Sequence, residues 1–435
     1  MILRLGSPAA RWVFLGVSAV LAGALSYFSA RNAWAEHRAG RLSREGLERA
    51  TQLEPGNARH WYLLGRYWQY NLDEPDNARA IAAYRQAVKF NPRFPAAWLN
   101  LGEAYEAEGN SASAREMFLE AKGVYPISAE AAWRYGNFLL RQGELPAAFV
   151  EIRHAVEEEP SRAAEAVSRC WRVAPDIQRI LDEVLPPARD VYLDAVKFLT
   201  SENEMDAALA VWTRLVRLQP KLKLKDAHNL MELLLQRRNI AAARAVWSQA
   251  LELSGTPRPV DPANSLIWDG GFETDVDGTG FSWRIQSPPG TKIHFDDQLQ
   301  HSGARALSIR FDGTQNVYFE HVCQFVAVEP GTAYEFSAWI RTEALTTDKG
   351  AYFHVNSLGN QKSAPAATSE LRGTEPWTRL TLRWSSGKDA RLAQVCLARS
   401  QSQKLDNQIS GIVWIDDVAL TPVGPAAGAV AKDTR

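Results

Sequence analysis

A regular spacing of large and small side chains in residues 95–126 constrains the fold of this chain more than any other feature. The apolar and small positions recur every three or four residues on both sides of a break at Gly109-Asn110, as on one face of a helix. They are Trp98, Leu101, Gly102 and Tyr105 before the break, and Ala114, Phe118 and Ala121 after it. Small residues let two antiparallel helices approach closely, and aromatic residues fill the remaining space. The stretch therefore predicts a helical hairpin.

The same pattern recurs along the chain at steps of about 34 residues. Upstream it returns from Trp61 to Pro92, with a short insertion at residues 71–76, and downstream from Tyr135 to Pro160. Weaker copies occupy residues 161–185, 191–220 and 230–250, and residues 47–55 look like the second helix of a first copy. These stretches resemble the tetratricopeptide repeat, which implies an all-α solenoid of six to seven helix pairs over residues 31–254.

The resemblance also implies a protein partner, bound on the concave surface that the first helix of each repeat lines. The residues there that packing does not require are Arg59, Tyr62, Arg66, Gln69, Asn100, Glu103, Trp133, Asn137 and Arg141. Some members of the family bind the terminal carboxylate of a peptide with a fixed set of Lys, Asn and Arg. Asn100 and Arg134 match that set, but Tyr62, Arg66 and Glu130 do not, so carboxylate binding is not carried over. For each residue the alternative is a solvated helix face.

An uncharged stretch at residues 12–30 follows a basic segment, residues 1–11, that carries Arg4 and Arg11. A helix of this length spans about 28 Å, close to a bilayer core. It predicts a transmembrane signal anchor that continues into the first repeat. The alternative is a signal peptide cleaved after residues 33–35, although that site lies far beyond the most apolar part. Arginines follow the span as well as precede it, so charge does not fix the orientation.

Composition changes after residue 254. Residues 255–262 are a Pro-rich linker, residues 263–423 alternate between apolar and polar positions, and residues 424–435 are a tail. The predicted strands cover residues 306–310, 318–328, 333–342, 351–356, 378–384, 393–398 and 411–420. Short alternating segments separated by Gly, Pro, Asp and Asn are typical of an all-β sandwich. The predicted fold class is therefore multidomain, with a transmembrane helix, a repeat solenoid and a β-sandwich.

Several phrases of this segment resemble the jelly-roll carbohydrate-binding modules of bacterial glycan-degrading enzymes. They are NSLIWDGGFE, GARAL, CQFVAVEPGTAYEFSAWIR and IDDVAL, with Trp283 between the first two. The resemblance implies a β-sandwich that binds a polysaccharide. Family members often hold a structural calcium ion, for which Glu273 and Asp416 occupy the matching places.

Strand alternation predicts which side chains meet the glycan. Tyr334, Phe336, Ala338 and Ile340 should face the core, as should Phe353 and Val355. The opposite positions are Trp339, Arg341, Tyr352, His354 and Asn356, which would form one aromatic and polar cluster if the two strands pair. Aromatic rings suit the C–H faces of sugars, and polar groups suit their hydroxyls. The alternative is that these aromatic residues stabilise cross-strand packing.

The totals exclude several function classes. The 49 basic and 50 acidic residues leave a charge of −1, which disfavours nucleic acid. Cys323 and Cys396 form a disulfide if their strands are neighbours, and otherwise are two buried thiols. No nucleophile elbow, zinc-binding His pair or phosphate-binding loop is present in the sequence, and no stretch remains for a separate catalytic domain, so we expect no enzyme activity.

The combination predicts a noncatalytic scaffold in a bacterial-type inner membrane, single-pass, with most of the chain in the periplasm. The repeats would bind a protein partner and the sandwich a glycan, in the assembly or export of an exopolysaccharide or O-antigen-like polysaccharide. One alternative is a pure protein-interaction scaffold whose sandwich binds no sugar. Another is a membrane protein that faces the cytoplasm.

Overall fold

The computed structural model describes residues 7–257, 259, 264–275, 277–359 and 365–423. Its internal contacts divide the chain into two compact units, Met1–Pro186 and Pro187–Arg435. The predicted fold class is confirmed, because helical hairpins precede an antiparallel sandwich of two sheets. The predicted tail from residue 424 and half of the predicted linker, residues 258 and 260–262, lie outside the described residues.

The first unit is helical. Its helices are α1 (Pro8–Ala39), α2 (Arg44–Leu53), α3 (Ala58–Tyr70), α4 (Asn77–Phe90), α5 (Pro95–Ala107), α6 (Ser111–Val124), α7 (Ala129–Arg141), α8 (Leu145–Glu158), α9 (Ala163–Val173) and α10 (Ile177–Glu183). Side-chain caps fix several starts; for example, the Asn110 side chain accepts a hydrogen bond from the backbone N–H of Ser113 at α6.

Close helix approach depends on one glycine in each of three repeats. A Cβ atom on Gly65 would lie 2.5 Å from the Tyr84 ring, and one on Gly136 would lie 2.8 Å from Ile152. Gly102 faces Phe118 in the same way, at 3.2 Å. The small positions of the predicted hairpins are therefore contact points between the paired helices, as the spacing predicted.

Helix α1 has two parts with different surroundings. Its stretch Arg11–Ala39 is long and apolar enough to cross a membrane, a property that a signal sequence shares. Its last turns pack into the first repeat, where Ala35 and Ala39 are fully buried and Glu36 bonds to the side chains of Arg59 and His60. The prediction that the apolar segment continues as the first helix of the first repeat is confirmed.

The second unit begins with α11 (Arg189–Ser201), α12 (Met205–Arg217), α13 (His228–Gln236) and α14 (Ile240–Ser254). Its strands are β1 (Arg284–Ile285), β2 (Thr291–Asp296), β3 (Ala306–Asp312), β4 (Phe319–Ala327), β5 (Ala333–Leu345), β6 (Tyr352–Ser357), β7 (Ala366–Ala367), β8 (Gly373–Ser385), β9 (Leu392–Arg399) and β10 (Ser410–Pro422). Sheet I has the order β1-β4-β9-β6-β7, and sheet II has the order β2-β3-β10-β5-β8. All the predicted strands are present, and β1, β2 and β7 were not predicted.

The core of the sandwich lies between the inner faces of the two sheets. Phe336 of β5 and Phe353 of β6 are fully buried there, with their rings 5.2 Å apart, and Trp283 and Phe272 close one end. Every residue predicted to face the core from β5 and β6 is buried. The alternation argument was therefore correct strand by strand.

Helices α13 and α14 pack directly against the sandwich within the second unit. The Trp247 ring meets Trp268 edge-on with centroids 5.7 Å apart, and meets Phe281 at 6.1 Å. Glu232 of α13 forms an ion pair with Arg284 of β1. A fragment beginning at residue 262 would leave these apolar rings without their partner, so the sandwich is best studied in the full chain.

Candidate functional site

The five residues predicted to form one glycan cluster lie in two different sheets. β5, which carries Trp339 and Arg341, pairs with β8 and β10. β6, which carries Tyr352, His354 and Asn356, pairs with β7 and β9. The condition for one cluster, that these two strands pair, is not met, because the chain crosses from sheet II to sheet I between Leu345 and Tyr352. The two groups therefore lie on the opposite outer surfaces of the sandwich.

The outer surface of sheet I carries a mixed aromatic and polar group that we call the tyrosine face. It consists of Tyr318, Glu320, Tyr352, His354, Asn356 and Gln394. Asn356 of β6 stands opposite Gln394 of β9 in the strand register, and β9 in turn pairs with β4. The sheet thus joins three of the predicted residues with three that the sequence argument missed.

Hydrogen bonds fix the polar groups of the tyrosine face. The Tyr318 hydroxyl donates to Glu320, whose other oxygen lies 2.9 Å from Nε2 of His354. The hydrogen bond to Glu320, with burial, raises the pKa of Tyr318 to about 12, which keeps the hydroxyl protonated. The Tyr352 hydroxyl lies 3.1 Å from that of Ser400. The Tyr318 side chain is 55 % exposed, so its ring remains open to a ligand.

The outer surface of sheet II carries the second group, which we call the tryptophan face: His301, Trp339, Arg341, Trp377 and Trp414. His301 stacks on Trp339 with ring centroids 3.9 Å apart and an interplanar angle of 17°, and its edge meets Trp377. The Arg341 guanidinium lies over Trp414, whose indole N–H donates to Asp296. A sugar cannot stack on the side of the Trp339 ring that His301 covers.

The predicted disulfide alternative is the one that forms. Cys323 of β4 and Cys396 of β9 stand opposite each other in the register and are joined, with their Cα atoms 4.2 Å apart. Cys170 is a buried free thiol in α9, and burial raises its pKa to about 12. The disulfide ties β4 to the central strand β9 in the same row of sheet I as His354.

Glu273 and Asp416, the predicted calcium ligands, converge on one glycine-lined gap. A Cβ atom on Gly271 would lie 3.7 Å from Oδ1 of Asp416 and 3.8 Å from Oε1 of Glu273. Asp416 has no cationic partner among the described residues, and burial raises its pKa to about 6. Two converging carboxylates, of which that of Asp416 has no positive charge beside it among the described residues, are suitable ligands for a hard divalent cation. Such an ion would supply the missing positive charge and link the segment around Glu273 to β10.

Asp416 also links this gap to the tryptophan face. Its Oδ2 accepts hydrogen bonds from the backbone N–H groups of His301 and Ser302, at 2.8 and 3.1 Å. The neighbouring Asp417 binds the His301 ring and the Ser302 hydroxyl. The His301 stack is thus held by the same loop that faces the carboxylates.

In the helical unit, three of the nine predicted groove residues, Gln69, Asn100 and Glu103, belong to a hydrogen-bond network that joins neighbouring repeats. The Arg134 guanidinium binds Asn100 at 2.9 Å and Glu103 at 3.2 Å, and Glu103 accepts from the Tyr70 hydroxyl. Asn100 is buried and donates to the Tyr84 hydroxyl, which donates to Gln69. Burial opposes the charge of Arg134, but Glu103 and Glu130 raise its pKa above the ordinary value. The two clamp-like residues are therefore engaged with each other.

The other groove predictions divide into packed and accessible residues. Trp133 and Asn137 are buried, and Arg59 pairs with Glu36. Two guanidinium nitrogens of Arg141, Nε and Nη2, donate to the two carboxylate oxygens of Glu106 at 2.6 and 2.8 Å. Arg66 is exposed and lies between the rings of Tyr62 and Tyr70, 5.9 Å from each centroid. Arg66, Tyr70 and Leu72 help line a cavity of about 470 Å³ next to the insertion at residues 71–76. This end of the surface is the accessible one.

Comparison with known proteins places the helical repeats in a class. Residues 76–109 match the model described as TPR repeat, and residues 108–163 match the tetratricopeptide repeat model. The chain therefore contains tetratricopeptide repeats. No curated protein matches the chain.

Among solved structures, the chain is similar to YrrB, described as a TPR protein with an unusual peptide-binding site. That likeness covers 49% of this chain and 95% of YrrB, at 14% identity and a TM-score of 0.26. It is also similar to TmCBM61 in complex with β-1,4-galactotriose, over 37% of this chain and all of the other, at 16% identity and a TM-score of 0.27. The xylanase 10B modules of Clostridium thermocellum complexed with xylohexaose match over 38% of this chain and 30% of theirs, at 16% identity and a TM-score of 0.27. Likenesses with TM-scores this low assign no function to this chain.

Proposed function

We propose that this chain is a noncatalytic, membrane-anchored scaffold that binds a protein through its tetratricopeptide repeats and a polysaccharide through the tyrosine face. The observation that carries the glycan part is the tyrosine face itself. Four of its six residues are uncharged, two tyrosines and two amides, and the Tyr318 hydroxyl donates to the Glu320 carboxylate. Such a surface offers C–H stacking and hydroxyl hydrogen bonds together, and it suits a neutral glycan better than an ionic ligand.

The repeats supply the protein-binding part. Helical repeats of this kind present a continuous surface along their first helices, and the network between Gln69 and Arg134 holds that surface rigid. A rigid surface binds without the entropic cost of ordering its side chains. The accessible Arg66, Tyr70 and Leu72 are the residues that we expect to contact the partner.

The anchor is proposed to remain attached to the repeats. Cleavage after residue 35 would remove buried Ala35 from the first repeat and leave Glu36 at a new chain end. A membrane-bound scaffold with a glycan module at its other end suits the assembly or export of an exopolysaccharide or O-antigen-like chain.

The glycan proposal is tested with the full chain in detergent on a glycan array, followed by affinity electrophoresis in gels that contain the best polysaccharides. Tyr318→Ala and Tyr352→Ala should each weaken the glycan affinity, measured from the retardation, about tenfold. A tenfold loss of affinity corresponds to about 1.4 kcal/mol of binding free energy. Tyr125→Ala is the matched control, because Tyr125 is an exposed tyrosine of the helical unit. Absence of binding to any glycan would leave the alternative, a pure protein-interaction scaffold.

The protein-binding proposal needs a separate test. Photo-crosslinking in intact membranes from position 72, which lines the same cavity as Arg66, should capture a defined partner, and Arg66→Glu should abolish that capture. Lys89→Glu on α4, a second helix, is the control with the same change of charge. Equal loss in both variants would contradict a site on the first helices.

A further inference from the structure

The strongest unassigned chemistry lies on sheet I, where Glu320 and His354 of the tyrosine face come together with Cys323 and Cys396. Cys323, Cys396 and His354 form one row across β4, β9 and β6, since Cys396 stands opposite both of the others. One donor atom each of Glu320, His354 and Cys396 lies within 4.8 Å of the others. The sulfur atom of Cys323 is bonded to that of Cys396 and therefore lies next to the same donor atoms.

A second observation points to a ligand at this row. His354 is only 8% exposed, and its Nδ1 atom is buried without a hydrogen-bond partner, while Nε2 faces Glu320 at 2.9 Å. Buried polar atoms in proteins nearly always have a partner. Zinc that is shared by His354 and Glu320 would bind Nε2, the nitrogen that faces the carboxylate, and would leave the ring proton on Nδ1.

The sulfurs are the controlling element, because a disulfide offers no thiolate to a metal. Reduction by a dithiol transfers two electrons and two protons to the Cys323–Cys396 bond and converts the dithiol to its own disulfide. Two thiols then face His354 and Glu320. Zinc displaces a proton from each thiol as it binds, and both protons pass to solvent.

We propose that the reduced chain binds one zinc ion through Cys323, Cys396, His354 and Glu320. These are zinc's preferred donors, and zinc bonds of 2.0 to 2.3 Å separate tetrahedral ligand atoms by about 3.3 to 3.8 Å. The donor atoms of Glu320, His354 and Cys396 lie within 4.8 Å of one another. Side-chain rotations that move these atoms by about 1 Å would bring them to the separations that zinc requires. Sheet I thereby exchanges a covalent link between β4 and β9 for a metal link that also includes β6. The site shares Glu320 and His354 with the tyrosine face, but zinc binding is measured without any glycan, so the two proposals fail separately.

The zinc site is tested with the full chain carrying Cys170→Ala, so that the pair in β4 and β9 holds its only thiols. One sample is kept oxidised, and one is reduced with a phosphine and desalted without oxygen. Both are dialysed against zinc and analysed for metal content, and cobalt is substituted to detect thiolate coordination by absorption. The reduced chain should hold about one zinc ion and the oxidised chain almost none.

Variants separate a built site from incidental binding. His354→Ala should weaken zinc binding at least tenfold, and Glu320→Gln about tenfold. His321→Ala is the control, since His321 lies in β4 but outside the row. Cys323→Ser cannot form the disulfide, so it should bind zinc without reductant, through three protein ligands and more weakly. Three results would each overturn the proposal. They are equal zinc content in the oxidised and reduced chains, unchanged zinc binding in His354→Ala, and absence of zinc from both the reduced chain and Cys323→Ser.

Discussion

The two outer faces of the sandwich both carry aromatic residues, but the chain's own side chains stack on the rings of only one of them. On the tryptophan face, His301 covers Trp339 at 3.9 Å and the Trp414 indole N–H is bonded to Asp296. On the tyrosine face, the Tyr318 ring is more than half exposed and polar groups surround it. A ligand-binding surface therefore cannot be recognised by its aromatic content alone. What matters is whether the chain's own side chains already stack on the rings.

The largest contrast should come from Trp339→Ala, which removes a stacked ring from the tryptophan face. We expect the free energy of unfolding of the sandwich to fall by about 3 kcal/mol, while glycan binding stays unchanged. Denaturant titration followed by the near-ultraviolet signal of the second unit measures the stability. Tyr352→Ala should cost less than about 1.5 kcal/mol, since its half-buried ring lacks such a stack. A larger loss of stability for Tyr352→Ala would reverse the roles assigned to the two faces.

Calcium should act on the tryptophan face and spare the tyrosine face, because Asp416 holds the His301 loop. At a calcium concentration about 100 times its dissociation constant, the sandwich should gain about 2.7 kcal/mol, which a chelator removes. Glu273→Ala should abolish the gain. No change in melting temperature with chelator would remove the metal from the account.

The same carboxylate gives the calcium effect a pH dependence. Without calcium, burial raises the pKa of Asp416 to about 6, above the value near 4 of an unfolded chain. The folded state then holds the proton more tightly, so its stability falls as the pH rises from about 4 to about 6 and does not fall further above that. Calcium should therefore stabilise the sandwich more at pH 7 than at pH 5, as scanning calorimetry at the two values would measure. Equal stabilisation at both values would contradict this role for Asp416.

A smaller effect is expected from His301→Ala, which uncovers Trp339 without removing it. Loss of the stack should cost about 1 kcal/mol of stability. If the His301 ring is what prevents a sugar from stacking on Trp339, His301→Ala should also show weak retardation in polysaccharide gels, and Trp339→Ala should not. Unchanged retardation would mean that the tryptophan face is unsuited to sugar even when open.

The sequence predicted local structure better than the site, and the reason is physical. Helical spacing located the paired helices because each repeat contacts its neighbours in sequence, as Gly102 and Phe118 do. Alternation located the buried side of β5 and β6 because it depends on one strand at a time. Strand pairing depends on distant segments, so Tyr318 and Gln394 join Tyr352 only through the order β4-β9-β6.

The missed pairing had a specific cause. Consecutive strands are neighbours in most sheets, and β5 and β6 are separated by only six residues, 346–351. Here those residues carry the chain between sheets instead of forming a hairpin. The structure shows the crossing in the contact between Phe336 and Phe353, which face each other from opposite sheets with ring centroids 5.2 Å apart. Alternation along each strand is the same for paired strands and for strands in opposite sheets, so it gave no warning.

The most direct test of the account compares Tyr352→Ala and Trp339→Ala for affinity toward one bound polysaccharide, by titration calorimetry with the full chain at a temperature where both variants are folded. The account predicts about tenfold weaker binding for Tyr352→Ala and wild-type affinity for Trp339→Ala. Loss of affinity in Trp339→Ala, with Tyr352→Ala unchanged, would contradict it.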